Sequence, residues 1–129
     1  MNIKSAKELV AAAAAEVETL SADAAVKLMD DPNVVFVDVR ETDERRKTGT
    51  LKGAIPAPRG FLEFYADPNS PTHVKALSSG KRLVLYCASG NRSALAAKTL
   101  KSMGIANVSH VAGGLPALQK AGGETESIA

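Results

Sequence analysis

The chain has 129 residues, a formal net charge of +2, 45% apolar residues, no Trp and a single cysteine. That length suits one compact domain with a core of Ala, Val, Leu and Ile. The small charge gives no footprint for nucleic acid, one cysteine excludes an intramolecular disulfide, and two histidines without a CxxC or His-rich cluster offer no metal site.

At the N-terminus, "SAKE" reads as a capping box, Ser5 with Glu8 three residues on, followed by an alanine-rich helix former. Glu8 interrupts the short apolar stretch, so residues 1–16 are expected to be a helical extension rather than a signal peptide. No apolar run reaches the length of a membrane span, and the absence of a targeting signal points to a cytoplasmic location. Val17–Leu20 is a short strand, and Ser21 caps a helix through about Met29. "DDPN" is a turn. Val34–Val39, "VVFVDV", is a near-continuous apolar run of the kind buried on both faces of a parallel sheet. "ETDERRKTG" makes a short polar helix ended by Gly49, and Arg45, Arg46 and Lys47 form its solvated charged face. "GAIPAPRG" gives a short strand and a proline-ruled loop. A helical turn and long loop follow through "GFLEFYADPNSP", then a short helix in "THVKALSSG".

"RLVLYC" is the second buried strand. Asn91–Met103 is a helix with Leu95, Ala96, Thr99, Leu100 and Met103 on one face and Gly104 as its stop. "NVSHV" is the last strand. "GGLPALQKAGG" is the last helix, with Pro116 in its first turn. "ETESIA" is expected to fray. The organisation is therefore an N-terminal extension (1–16), one domain (17–123) and a flexible tail (124–129). Alternating strands and helices predict an α/β domain, a mostly parallel sheet with helices on both faces. Ligands of such sheets bind beyond the carboxyl ends of the strands, where both Cys87 and Asp38 would lie.

Cys87 opens a loop, "CASGNRS", between a strand and a helix. A connection that short must curl, and Gly90 permits the backbone geometry. The amides of a tight curl converge into an anion nest, and the first amides of the next helix aim the same way. This potential favours a thiolate at Cys87, and the thiolate is the nucleophile. Ser93 can add its hydroxyl, and Arg92 adds a fixed positive charge near the mouth. Free cysteines are often simply buried, but this polar, glycine-containing loop is poor core material.

"CASGNRS" resembles the active-site loop of rhodanese-like sulfurtransferases. So do "VFVDVRE", "GTLKGAIPAP" and "VAGGLPALQKAGG", in family order and spacing. The resemblance implies a five-stranded parallel sheet. It implies that Cys87 takes sulfane sulfur from a donor such as thiosulfate, holds it as a persulfide among the amides of Ala88, Ser89, Gly90, Asn91, Arg92 and Ser93, and passes it to cyanide or a thiol. No cofactor is implied. Phosphatases and arsenate reductases of the same fold have five residues between Cys and Arg; here four, Ala88 to Asn91, intervene. The smaller ring suits one sulfur rather than a tetrahedral oxyanion.

Around this loop, Arg92 and Arg59 are candidate binding groups for an anionic donor. Asp38 and Arg40 are candidate structural supports, Asp38 either bonding beneath the site or capping the helix after Glu41, and Arg40 pairing with Glu41. Tyr86 points away from the nucleophile by strand alternation. His73 and His110 are expected to be structural. Thr50 stands where many relatives carry a histidine, and Leu115 and Leu118 replace aromatics, so looser packing is expected there. The leading function is a sulfurtransferase with small-molecule donor and thiol acceptor, neither nucleic acid nor membrane. A sulfur-relay carrier serving a protein acceptor and a noncatalytic interaction domain are the alternatives.

Overall fold

The computed structural model describes residues 1–129. Seven strands are present: β1 (Glu18–Leu20), β2 (Val34–Asp38), β3 (Thr50–Leu51), β4 (Ile55–Pro56), β5 (Arg82–Tyr86), β6 (Val108–Val111) and β7 (Thr125–Glu126). The helices are α1 (Ala6–Glu16), α2 (Ala22–Val26), α3 (Thr42–Thr48), α4 (Leu62–Ala66), α5 (Asn91–Ser102) and α6 (Gly114–Lys120). Two 3₁₀ turns, Arg59–Phe61 and Lys75–Ser78, flank α4 and its following loop. Five strands form one parallel sheet in the order β1-β6-β5-β2-β4.

Strand alternation divides the core between the two faces of the sheet. Leu83, Leu85 and Cys87 join Val37, Val39, Ala96, Ala97 and Leu100 on the α4–α5 side. Val84 and Tyr86 join Phe36, Val111, Leu115 and Leu118 on the α2–α6 side. Leu115 and Leu118 are both buried, and Leu115 also borders an open cleft of about 200 Å³. The buried face of α5 is turned from its expected position. Ser93, Ala94, Ala96, Ala97 and Leu100 are buried, whereas Met103 is exposed. The helix ends at Ser102 with Met103 as its C-cap, and Ile105, whose N–H bonds back to Leu100 O, packs against the core instead.

Both ends of the chain are tied to the domain. Ser5 caps α1 by accepting from Glu8 N–H at 3.0 Å. Lys101 Nζ then donates to Glu16 O at 2.7 Å, and Lys98 pairs with Glu16 at 3.2 Å, fixing α1 along α5. The tail is not frayed. Thr125–Glu126 pairs antiparallel with Thr50–Leu51, and Lys52 N–H donates to Glu124 O at 3.0 Å. The tail's backbone groups find partners because Gly123 folds back, its N–H bonding Leu118 O at 2.8 Å. No helix is long and apolar enough to cross a membrane.

Candidate active site

Cys87 follows the last residue of β5, and its side chain is fully buried. The chain then curls through Ala88, Ser89 and Gly90 into α5. Gly90 has φ of 103°, a left-handed conformation that other residues resist. This turn aims Gly90 N–H at the sulfur, 3.1 Å away. One helical turn on, buried Ser93 brings its Oγ to 3.6 Å from the same sulfur. Burial pushes the Cys87 thiol up, but the amides of Ser89, Ser93 and Gly90 and the Ser93 hydroxyl outweigh it and leave it below its ordinary value.

The loop is held from behind by the Gly113–Gly114 turn. Gly114 has φ of 61°, and a Cβ there would lie 2.3 Å from Cys87 O and 2.5 Å from the Ala88 carbonyl carbon. Leu115 N–H donates to Cys87 O at 2.8 Å. The double glycine thus lets α6 approach the loop backbone closely enough to fix it.

Arg92 adds charge near the sulfur, but not as a free cation. Its guanidinium forms a two-pronged pair with Glu44 of α3, at 2.6 and 2.9 Å. The hydrogen bonds from Arg92 hold the Glu44 carboxyl down to about 2, against the opposing effect of burial. Glu44 also accepts from Glu41 N–H at 3.1 Å, at the start of α3.

Beneath the site, Asp38 is fully buried and serves as the hub of a polar cluster. It accepts from Arg40 N–H at 3.0 Å, and Arg40 Nη2 lies 2.9 Å from its other oxygen. That second oxygen also accepts from Thr50 and from the Tyr86 hydroxyl, each at 2.9 Å. Burial, followed by the negative charge of Asp38, pushes the Tyr86 phenol up and keeps it protonated, ready to donate. Asp38 therefore supports the fold and does not cap α3, whose N-cap is Glu41. Arg40 pairs with Asp38 rather than Glu41, because its own backbone N–H already fixes it against that carboxylate. Within the expected solvated face of α3, Arg45 instead turns inward, 3.8 Å from Asp38.

Arg59 is not free to receive a ligand as the sequence led us to expect. Its guanidinium is engaged by Glu63 at 2.9 Å and Thr99 at 3.1 Å, a clamp between α4 and α5. His73 bonds Ser78 at 2.8 Å and closes its own loop. A cleft of about 200 Å³ opens beside the loop, lined by Arg40, Lys47, Thr48, Ala88, Pro116 and Gln119 among others. On the other flank, Ala6, Lys7 and Val10 of α1 border Asn91 and Arg92.

Three residues have larger parts than their sequence context suggests. Thr50 ties Asp38 to Tyr86. Gly114 backs the loop. His110 contacts Ser93 through Nδ1 at 3.1 Å. None had a sequence signal for its part: His110 is in phase with Val108, but the strand also carries Ser109, so polarity there singles out no residue.

A family model for the rhodanese-like domain matches residues 21–121. A tRNA uridine(34) hydroxylase from Mesorhizobium japonicum is 34% identical over 89 residues, covering 68% of this chain and 28% of that protein. The chain thus spans less than a third of the length of that relative. Among solved structures, a Rhodopseudomonas palustris protein of unknown function, described as a possible tyrosine phosphatase, superposes with a TM-score of 0.92. It shares 38% identity, with 98% of this chain and 97% of that chain covered. The polysulfide-sulfur transferase homodimer of Wolinella succinogenes gives a TM-score of 0.71 at 28% identity, covering 95% of this chain and 88% of that one.

Proposed function

The chain belongs to the rhodanese-like domain family, and from that premise we propose that it is a sulfurtransferase working through a persulfide on Cys87. The observation that carries this reading is the cradle around the sulfur: the Gly90 N–H donating to Cys87 Sγ at 3.1 Å and the Ser93 hydroxyl oxygen 3.6 Å from the same sulfur, around a buried thiol at the end of a strand. Such a nest favours a sulfur anion, either the attacking thiolate or the product persulfide.

The Cys87 thiolate attacks the outer sulfur of a donor such as thiosulfate. A new S–S bond forms, the donor's S–S bond breaks, and sulfite departs with its electron pair. Cyanide or a thiolate then attacks the outer sulfur of the persulfide. The S–S bond breaks toward Cys87, which regains its thiolate. This is covalent catalysis in two half-reactions. The loop amides and the adjoining cleft bearing Lys47 and Gln119 receive the donor's anionic end, while Arg92, paired with Glu44, frames the loop.

Two observations bear on competing chemistry. Four residues between Cys87 and Arg92 make a tighter ring than a phosphoryl group needs, which favours sulfur over phosphate. The name of the hydroxylase relative refers to tRNA, but the shared stretch is 28% of that protein, and we propose no nucleic-acid partner for this chain. A second reading is a persulfide carrier for a protein acceptor. It is favoured by the lone cysteine, which leaves no resolving thiol within the chain.

Intact-protein mass after incubation with thiosulfate tests the proposal. The expected result is a gain of one sulfur atom, reversed by cyanide with release of thiocyanate and absent in Cys87→Ser. Failure to load sulfur from thiosulfate, other sulfane donors and persulfides would overturn it, and hydrolysis of an aryl phosphate would put phosphate chemistry in its place. Loading without turnover toward small acceptors would select the carrier.

A further inference from the structure

Ser93 has one hydroxyl proton and three neighbours able to receive it. Gly90 O lies at 3.2 Å, His110 Nδ1 at 3.1 Å and Cys87 Sγ at 3.6 Å. Which one receives it is a question of what the histidine presents. His110 lies in β6 with Leu85 as its register partner, so its ring occupies the same sheet face as Leu85 and Cys87. Its register partner on the other side is Thr19 of β1, whose Oγ1 is 3.0 Å from His110 Nε2. Both ring nitrogens are therefore engaged, and the ring is buried.

We propose that His110 is a positioning residue for the nucleophile: held at Nε2 by Thr19, it presents Nδ1–H to Ser93 Oγ and so turns the Ser93 proton onto the Cys87 sulfur. This rests on Cys87 acting as the nucleophile. Burial lowers the basicity of His110, so the ring stays neutral and carries one N–H. Were that hydrogen on Nε2, a bare Nδ1 would take the Ser93 proton and the sulfur would lose a donor. In the proposed arrangement the Thr19 hydroxyl donates to Nε2 and the ring hydrogen sits on Nδ1. Ser93 Oγ then accepts from the ring and has its own proton to give. Between a carbonyl and an anionic sulfur, the charged acceptor makes the stronger bond. The groups facing the ring, Thr19 from β1 and Ser93 from α5, are uncharged. Arg92, the charged residue of the loop, is paired with Glu44. The relay is thus set by hydrogen-bond direction and not by charge on the ring.

Three readouts test the proposal in the full chain. Nitrogen-15 chemical shifts of the His110 ring should show Nδ1 protonated and Nε2 bare at neutral pH. The pH profile of Cys87 alkylation should move to higher pH in His110→Phe, with about a tenfold slower reaction at neutral pH, the effect of roughly one hydrogen bond to a charged group. His110→Asn places an amide N–H near the Nδ1 position and should recover the rate to within about twofold, whereas His110→Gln, with its amide near Nε2, should not. Thr19→Val, on the edge strand, gives the same upward displacement in smaller measure and serves if His110→Phe does not fold. An Nε2–H tautomer, or a folded His110→Phe with an unchanged profile, would overturn the proposal. So would His110→Asn falling as far as His110→Phe, since that would make the histidine a base and not a positioning group. Alkylation and the ring shifts need no sulfur donor, so the proposal can fail separately from the sulfurtransferase reading.

Discussion

At the scale of single residues, the site depends on where backbone atoms touch as much as on what Cys87 carries. Gly114→Ala would set a methyl group 2.3 Å from Cys87 O at a φ of 61°. The loop or α6 must move, at a cost of about 1–3 kcal/mol. We expect a lower urea midpoint together with a marked loss of sulfur loading at Cys87. A variant that loads at the wild-type rate would show that the close approach does not fix the loop. The place of Cys87 at a strand end, opening a curled loop, was legible in the sequence because a lone cysteine beside polar and glycine residues is poor core material. The parts played by Gly114, Thr50 and His110 were not. Each acts on a residue distant in sequence, and nothing in its own neighbourhood announces the partner. Arg59 misled for the same reason: an arginine in a pocket-bordering loop reads as free until Glu63 and Thr99 are seen to hold it.

At the scale of elements, α3 and α5 are joined across the mouth of the site by Glu44 and Arg92. The Glu44 carboxyl is held at about 2 in the folded chain, below its ordinary 4.5. A depressed carboxyl stabilises the fold above the unfolded value and loses that contribution as pH falls through the folded one. Wild type should therefore exceed Glu44→Gln in urea midpoint at pH 6, and the gap should narrow between about pH 4.5 and pH 2. Both side chains are about one-third exposed, so the gap should be modest and reduced by salt. A gap that does not vary with pH would remove the pair as a tie. The major elements were readable from sequence: β2 and β5 from unbroken apolar runs, α5 and α6 from their glycine and proline punctuation. Their ends differ by a residue or so, as after Asp38 and Tyr86, where the final apolar residue, Val39 or Cys87, lies outside the ladder. The pair β3–β7 escaped notice because two-residue strands carry no period and their partners lie at opposite ends of the domain.

At the scale of the whole molecule, that small sheet closes the chain upon itself. Removing residues 124–129 deletes β7 and frees the hydrogen bond from Lys52 N–H to Glu124 O. A loss of about 1–2 kcal/mol is expected from one or two exposed backbone hydrogen bonds, with Cys87 reactivity kept. Equal urea midpoints for the shortened and full chains would show that the strand contributes nothing. The parallel sheet itself followed from the alternation of strands and helices, whereas the anchoring of both chain ends depends on long-range partners that periodicity does not encode. The complete burial of Cys87 has a consequence for encounters between molecules. A disulfide needs its two Cβ atoms about 3.5–4.5 Å apart. Two copies of this chain cannot bring their only thiols that close while both loops keep their shape, so oxidation has no direct route to a covalent dimer. The fold thus insulates its reactive sulfur from its own kind, leaving it to reagents slender enough to enter beside the loop.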